Sequence, residues 1–363
     1  MPKVLRFGSV EAAALLIYWN LARTFLPFPK DFIDIGMSAA WLPVLLSTAT
    51  VLGFLGLTVL VLRHYRRETM VEVAEDLFGP AGGVVTGVLL TGMFAVETGL
   101  ILRQYSEAML ITALPRTTIS VVTGGFLLTA AWVAYLGLEP MARTCRITLP
   151  HFAGGILLLM LALIPMWNWQ HLFPFWGRGL AMVPATLGFS TNTSVLLATL
   201  LLPVTGDWRQ VAKAGLWGIV FGYLILLIVV VSTVLVFTPE VARQFSLPFF
   251  SVSKNIYVGR YLQHIEAIYI IIWGVVGVLR LATGLYAAAE FFRRAFRLPY
   301  YQPLLWPLGV LIFIISLIPA SFAAAYRLDE LLLRADWLPV GVLPLVLLAA
   351  VLLKGRRAAS RAG

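Results

Sequence analysis

The chain has 363 residues, of which 60% are hydrophobic and only 12% charged, with a formal net charge of +10 and a mean hydropathy of +0.90. A soluble chain carries roughly a quarter charged residues, so a water-exposed fold is excluded. The basic residues sit in short stretches between apolar runs, which excludes a nucleic-acid footprint, and the lone Cys145 excludes intrachain disulfides and multi-cysteine metal sites. In chain order, apolar runs predict about ten transmembrane helices at roughly 9–28, 39–62, 81–113, 118–137, 149–166, 181–203, 212–237, 262–292, 303–322 and 337–354. The sequence opens Met-Pro-Lys-Val-Leu-Arg and enters the first run without a small-residue cleavage site, so that run reads as a retained span. Residues 66–79 read as an amphipathic surface helix stopped by Gly79-Pro80. The third and eighth runs exceed the length of a perpendicular crossing and must tilt or extend past the lipid. No polar stretch is long enough for a separate domain, so residues 1–363 are expected to form one transmembrane domain.

Alternating the loops places sixteen basic residues on the side of the N-terminus, from Lys3 and Arg6 to Lys354, Arg356, Arg357 and Arg361. The opposite side receives eight: Lys30, Arg116, Arg178, Arg243, Lys254, Arg260, Arg327 and Arg334. By the positive-inside rule both termini are expected in the cytoplasm. Trp167, Trp169, Trp176, Trp306 and Trp337 fall near span ends and read as interfacial anchors. His64, His151, His171 and His264 lie near the interfaces and receive no role.

Two spans are not uniformly apolar. The first carries Asn20, Ala22, Arg23 and Thr24 before Pro27 and Pro29; the sixth runs from Pro184 through Gly188 to Ser190, Thr191, Asn192, Thr193 and Ser194. Non-helical backbone at membrane depth must line a cavity or bury against protein. These are spans one and six of ten, corresponding positions in halves at about 9–166 and 181–354, and interruptions at matching places point to a transporter-type binding site. The alternative is that the polar side chains only mediate helix packing.

Arg23, Glu97, Arg103 and Arg280 lie deep in spans, where an ionisable group is costly and needs a partner. Helical rise puts Arg23, Glu97 and Arg280 at similar depth. Two cations against one anion leave a net positive centre that a ligand carboxylate would satisfy; a purely structural triad is the competing reading. Arg103 and Glu107 have the spacing of a local helical pair. Glu11 is expected to reach the interface, and Glu97 is the best candidate for a protonatable group. No pattern for phosphate cradling, nucleophilic catalysis or metal ligation stands out, so neither an enzyme nor a cofactor is expected.

Several short stretches, in order, resemble the spore germination permease family, the B subunits of nutrient germinant receptors within the amino acid–polyamine–organocation superfamily. They are residues 69–79; Ala113-Leu-Pro115-Arg-Thr117-Thr-Ile; Tyr135-Leu-Gly137-Leu-Glu139-Pro-Met-Ala-Arg143; Leu247-Pro248-Phe-Phe-Ser-Val; Leu262 to Glu266 with Ile272-Trp273; and Pro299-Tyr-Tyr-Gln-Pro. Arg280 stands where relatives often carry a basic residue. Two departures fall in the presumed pocket: Ala22-Arg23-Thr24 replaces a glycine-rich stretch, and Ser190 to Thr193 occupy a region where relatives often carry an acid. The resemblance implies a five-plus-five inverted repeat of the leucine-transporter type, with spans one, three, six and eight around the pocket. It also implies a nutrient ligand, commonly an amino acid, and companion A-type and C-type subunits in the spore inner membrane. Glu139 and Arg143 then form either a structural ion pair or a contact to the A-type subunit. Two other functions stay open, an amino acid secondary transporter, proton-coupled or not, and an ion or water conduit within the receptor complex.

Overall fold

Hydrocarbon offers backbone amides no water, so a chain this apolar must satisfy them within helices. The computed structural model describes residues 7–64, 69–255 and 266–362, and among them it is helical with no strand. Helix α1 (Ser9–Thr24) begins where Glu11 accepts the Gly8 N–H at 3.1 Å. It ends before Pro27 and Pro29, which have no N–H to continue it. Helix α2 (Phe28–Gly36) resumes beyond the break and is followed by α3 (Trp41–Leu62).

The N-terminus of α4 (Met70–Thr112) is a capping box, in which Thr69 and Glu72 satisfy each other's end of the helix. Gly79 has φ +79°, a left-handed value that glycine adopts without steric cost, and Pro80 restarts the helix after it. The amphipathic stretch expected before Gly79-Pro80 is therefore helical from Met70 and joined to the span through a turn; residues 66–68 lie outside the described residues. Gly137, with φ +102°, separates α5 (Ile119–Leu136) from α6 (Leu138–Leu163). Helices α7 (Met182–Phe189), α8 (Ser194–Thr199) and the short α9 (Leu202–Thr205) form a second interrupted span, bent by 48°.

Asp207 caps α10 (Trp208–Val236) by accepting the Arg209 N–H at 3.0 Å. After the short α11 (Pro239–Ala242) and α12 (Pro248–Ser253) come α13 (Glu266–Ala295), α14 (Leu305–Leu317) and α15 (Phe322–Ala335). A π-turn over Trp337–Val342 joins α15 to α16 (Leu343–Ala362). Seven continuous helical segments among the described residues are long and apolar enough to cross a membrane, and the bent pair α7–α9 makes an eighth. The shorter apolar helix Gln302–Leu317 and the broken pair α1–α2 bring the total to ten.

The largest correction falls on the last span. It begins at Phe322, not near residue 337, so Arg327 and Arg334 belong to a helix and not to an outer loop. The charges of Arg327, Asp329, Glu330 and Arg334 gave this stretch the look of a loop. Trp337 likewise is not an interfacial anchor: it packs edge-on against Phe54, and its Nε1 donates to the Leu187 carbonyl at 3.1 Å. Trp169, Trp176 and Trp306 are exposed, whereas Trp167 is half-buried against the core. Lys3, Arg6, Arg66, Arg67, Arg260 and His264, with the 262–265 part of the motif ending at Glu266, lie outside the described residues, as do the side chains from Lys354 onward.

Close helix approach is set by glycine. A Cβ at Gly277 or Gly284 of α13 would collide with the Tyr105 ring or Thr98 of α4. Gly218 and Gly222 of α10 meet Leu16 and Asn20 of α1 in the same way. Small residues at such seams let backbones approach, which is how helices associate in lipid. Both seams converge on the helix breaks.

Candidate functional site: a buried charge cluster at the helix breaks

The break after α1 leaves carbonyls without helical partners. Tyr105 of α4 answers one of them, its hydroxyl donating to the Ala22 carbonyl at 2.9 Å while its ring stacks on Trp273 at 5.1 Å. One residue on, Arg23 is 5% exposed and spends both terminal nitrogens on carboxylates. Its Nη1 and Nη2 fork onto Asp329 of α15 at 2.8 and 3.1 Å, and Nη2 also donates to Glu97 at 3.0 Å. Asp329 was not foreseen, because the segment carrying it reads as a loop.

Glu97, 1% exposed on α4, is the hub. Its Oε1 receives Arg23 and Arg280, and Thr193 in the second break donates a hydroxyl shared between its two oxygens, at 3.1 and 2.9 Å. Trp19 of α1 donates its indole N–H to the Thr193 oxygen at 3.1 Å, and the Arg280 guanidinium lies over the Trp19 ring. The three ionisable residues placed at one depth by helical rise are thus in direct contact.

The second break is tied to the first by amides. Asn192 Nδ2 donates to Asn20 Oδ1 at 2.8 Å and to the Tyr223 hydroxyl at 3.2 Å, while its Oδ1 accepts the Ser194 N–H at 2.9 Å. Asn20 in turn donates to the carbonyls of Leu16 and Gly218 at 3.0 and 3.1 Å. Ser190 bonds back to the Thr186 carbonyl at 2.7 Å, and Thr191 donates to the Leu333 carbonyl on α15. Thr24 is buried beside Arg23 in sequence. Gly188 is half-buried in α7, with open space where a Cβ would stand, and is not drawn into the charged cluster.

The expectation of a net positive centre is corrected by α15 and the turn after it. Two guanidiniums, Arg23 and Arg280, face Glu97 and Asp329, and the 1% exposed Asp336 stands at the end of α15. A carboxyl-bearing helix replaces the missing counter-charge. Among the charged side chains of this cluster, two atoms remain without a hydrogen-bond partner among the described residues, Arg280 Nη1 and Asp336 Oδ2; the Ser194 hydroxyl in the second break is likewise unpaired. Buried polar atoms are almost always satisfied, so an unpaired cationic nitrogen and an unpaired carboxyl oxygen near one centre call for an explanation.

Asp329, Asp336, Trp19 and Tyr105 were not among the expected site residues. For Asp329 a signal existed: Ser321 precedes a 14-residue run and caps it, its Oγ accepting the Ala324 N–H at 3.2 Å. Outside the cluster, Arg103 pairs with Glu107 as its spacing suggests, at 2.6 Å. Glu139 and Arg143 pair at 2.5 Å on the surface, and Glu11 pairs with Arg146 of α6.

Two helices broken at matching positions around a charged centre define a transporter-type membrane protein, and solved structures agree on the fold. A structure of Mhp1, a nucleobase-cation-symport-1 family transporter, in a closed conformation with bromovinylhydantoin bound, covers 96% of this chain and 80% of its own, with TM-score 0.67 and 12% identity. A substrate-bound, outward-open Na+-coupled sialic acid symporter covers 93% and 78%, with TM-score 0.63 and 12% identity. The fold is therefore the five-plus-five leucine-transporter type.

Sequence then supplies the family: residues 8–323 match the spore germination protein family, and the chain belongs to it. Spore germination protein KB of Bacillus subtilis (strain 168) is 23% identical over 322 residues, spanning 87% of this chain and 86% of the relative. A putative spore germination protein of the same organism, YfkT, is 25% identical over 260 residues, 71% of each chain. The protein is an integral membrane protein of the germinant receptor and permease kind, not an enzyme.

Proposed function

We propose that the chain is the B subunit of a nutrient germinant receptor and binds a small zwitterion, an amino acid, at the cluster joining the two helix breaks. The observation that carries this reading is the pair of unpaired buried atoms, Arg280 Nη1 and Asp336 Oδ2. A ligand carboxylate would take the guanidinium nitrogen, and its ammonium would take the carboxyl oxygen. Each group meets the charge it needs without adding net charge to a buried site.

Arg23 acts as a latch in this scheme. Its fork onto Asp329 ties the α1 break to α15, and its Nη2 ties both to Glu97 on α4. A ligand that recruits Asp336 and Arg280 competes for the same small group of charges, and its differential affinity for the latched and unlatched states is the signal. Asn20, Ala22, Thr24, Ser190, Thr191 and Asn192 would frame the pocket, with Asn192 and Asn20 holding the two breaks in register.

The companion A-type and C-type subunits would assemble around the bundle in the spore inner membrane, with both termini cytoplasmic as the basic loops favour. The exposed Arg143 and its partner Glu139 offer a contact to the A-type subunit. A second reading, secondary transport of the same ligand, is favoured by the two symporter folds.

The test is a thermal-shift screen of the detergent-purified protein against the twenty amino acids, since a ligand that binds only the folded state stabilises it by mass action. At least one should raise the melting temperature, and Asp336→Asn and Arg280→Lys should each abolish that shift. No shift with any amino acid, or an unchanged shift in both variants, would overturn the assignment. Uptake of the stabilising amino acid into proteoliposomes would decide for transport over sensing.

A further inference from the structure

At one end of the bundle α1, α6 and α10 leave a groove of about 490 Å³ that plays no part in the charge cluster. Ala13 and Ile17 of α1, Leu149 of α6 and Phe221 of α10 make its apolar wall, and its charged lining is Arg146 and Lys213. Phe221 is eight residues along α10 from Lys213, and Ile17 eight along α1 from Ser9, so the groove runs about 12 Å from its basic end into the apolar layer. The wall is open to the side: Val10 is 59% exposed, Trp217 43% and Phe221 44%.

The charges at the basic end are not balanced. Arg146 is held by Glu11, which also accepts the Gly8 N–H. Lys213 is exposed and makes no ion pair among the described residues. Arg209 lies one helical turn from Lys213, with its guanidinium over Trp208, where Arg63 also rests. Asp207, the other acid at this end of α10, is turned to its own helix cap.

We propose that this groove binds an acidic phospholipid, its phosphate between Lys213 and Arg146 and one acyl chain along the α1–α6–α10 wall. A basic end followed by an open apolar trough at the depth of about eight helical residues has the layout of a headgroup and the first part of a chain. A soluble anion would meet Lys213 but leave the trough empty, and a zwitterionic lipid would fill the trough but bring no net charge to Lys213.

The site lies on the helix that carries Asn20 and Arg23, one to two turns beyond Ile17. A lipid lodged there braces α1 on α6, beside the Tyr18–Thr148 hydrogen bond at 2.5 Å and the Arg146–Glu11 pair. The lipid therefore biases how freely the α1 arm moves, and through it the latch at Arg23. This proposal does not depend on the nature of the nutrient.

The experiment is native mass spectrometry of the detergent-purified protein titrated with phosphatidylglycerol or with phosphatidylcholine of the same chains. Phosphatidylglycerol should bind at least fivefold more tightly, because one basic residue near a membrane surface attracts an acidic lipid about fivefold. Lys213→Ala should remove about that factor from the preference. Ala13→Leu, which fills the trough without touching a charge, should weaken binding of both lipids. Glycerol 3-phosphate at equal concentration should fail to displace the bound lipid. Equal affinity for the two lipids would overturn the proposal, as would an unchanged preference in Lys213→Ala or displacement by glycerol 3-phosphate. Phosphatidylglycerol binding that survives Ala13→Leu intact would overturn the placement of the chain in the trough.

Discussion

Replacing Asp329 by asparagine keeps the size of the side chain and removes the charge that Arg23 grips most fully. Of the three hydrogen bonds that Arg23 makes through Nη1 and Nη2, two go to Asp329, at 2.8 and 3.1 Å, and one to Glu97 at 3.0 Å. Breaking a buried ion pair by removing one partner costs about 3–5 kcal/mol, because the other charge is left uncompensated. Asparagine still offers one acceptor oxygen, so the lower end, about 3 kcal/mol, is expected for Asp329→Asn. Glu97 cannot take over fully, since its Oε1 already receives Arg280. Removing the other partner as well should relieve much of this loss, so Arg23→Gln in the Asp329→Asn background should cost far less than either change alone. The assay is unfolding of the purified protein in mixed detergent micelles, read by helical signal and closed as a double-mutant cycle. A coupling energy below about 0.5 kcal/mol, the ordinary limit of additivity, would refute the reading that Arg23 and Asp329 form a latch.

Two further outcomes follow from the same structure. Gly277→Val forces a branched side chain into the Tyr105 ring and should destabilise the protein by about 1–3 kcal/mol, as overpacking does, measured by the same unfolding assay; a neutral result would show that α13 and α4 are not in close contact there. Arg143→Ala removes an exposed i,i+4 pair worth only about 0.3–0.5 kcal/mol, so the isolated protein should melt as wild type while co-purification with an A-type subunit falls; intact co-purification would reduce the Glu139–Arg143 pair to a helix staple.

The structure alters what an arginine substitution means. From charges alone, Arg23 looks like a ligand anchor with a free positive end, and its removal should weaken binding more than folding. With Asp329 and Glu97 in contact, Arg23 is as much a structural group as a binding one. Arg280, which keeps one buried nitrogen unpaired, is the cleaner probe of ligand contact.

Sequence by itself determined the class of the molecule and most of its helices. Long apolar runs have one stable solution in lipid, so composition and length sufficed for about ten spans. It also determined where the first and sixth spans break, because Pro27, Pro29 and the polar run at Ser190 to Thr193 act locally on the backbone that carries them. Depth along a helix is a local property too, and helical rise alone put Arg23, Glu97 and Arg280 at one level.

What only the tertiary structure decided is which charges meet. Phe322–Ala335 carries four charged residues, Arg327, Asp329, Glu330 and Arg334, with Asp336 just past its end, and read alone it belongs to water. Packed against α4, with Arg23 opposite Asp329, it becomes the first part of the tenth span, because an ion pair removes the penalty that an isolated charge would incur. Hydropathy scores each residue singly and has no means of seeing a partner 306 positions away in the chain. The balance of charge at the helix breaks, and with it the choice of Arg280 and Asp336 as the groups left open, exists only once those distant segments are brought together.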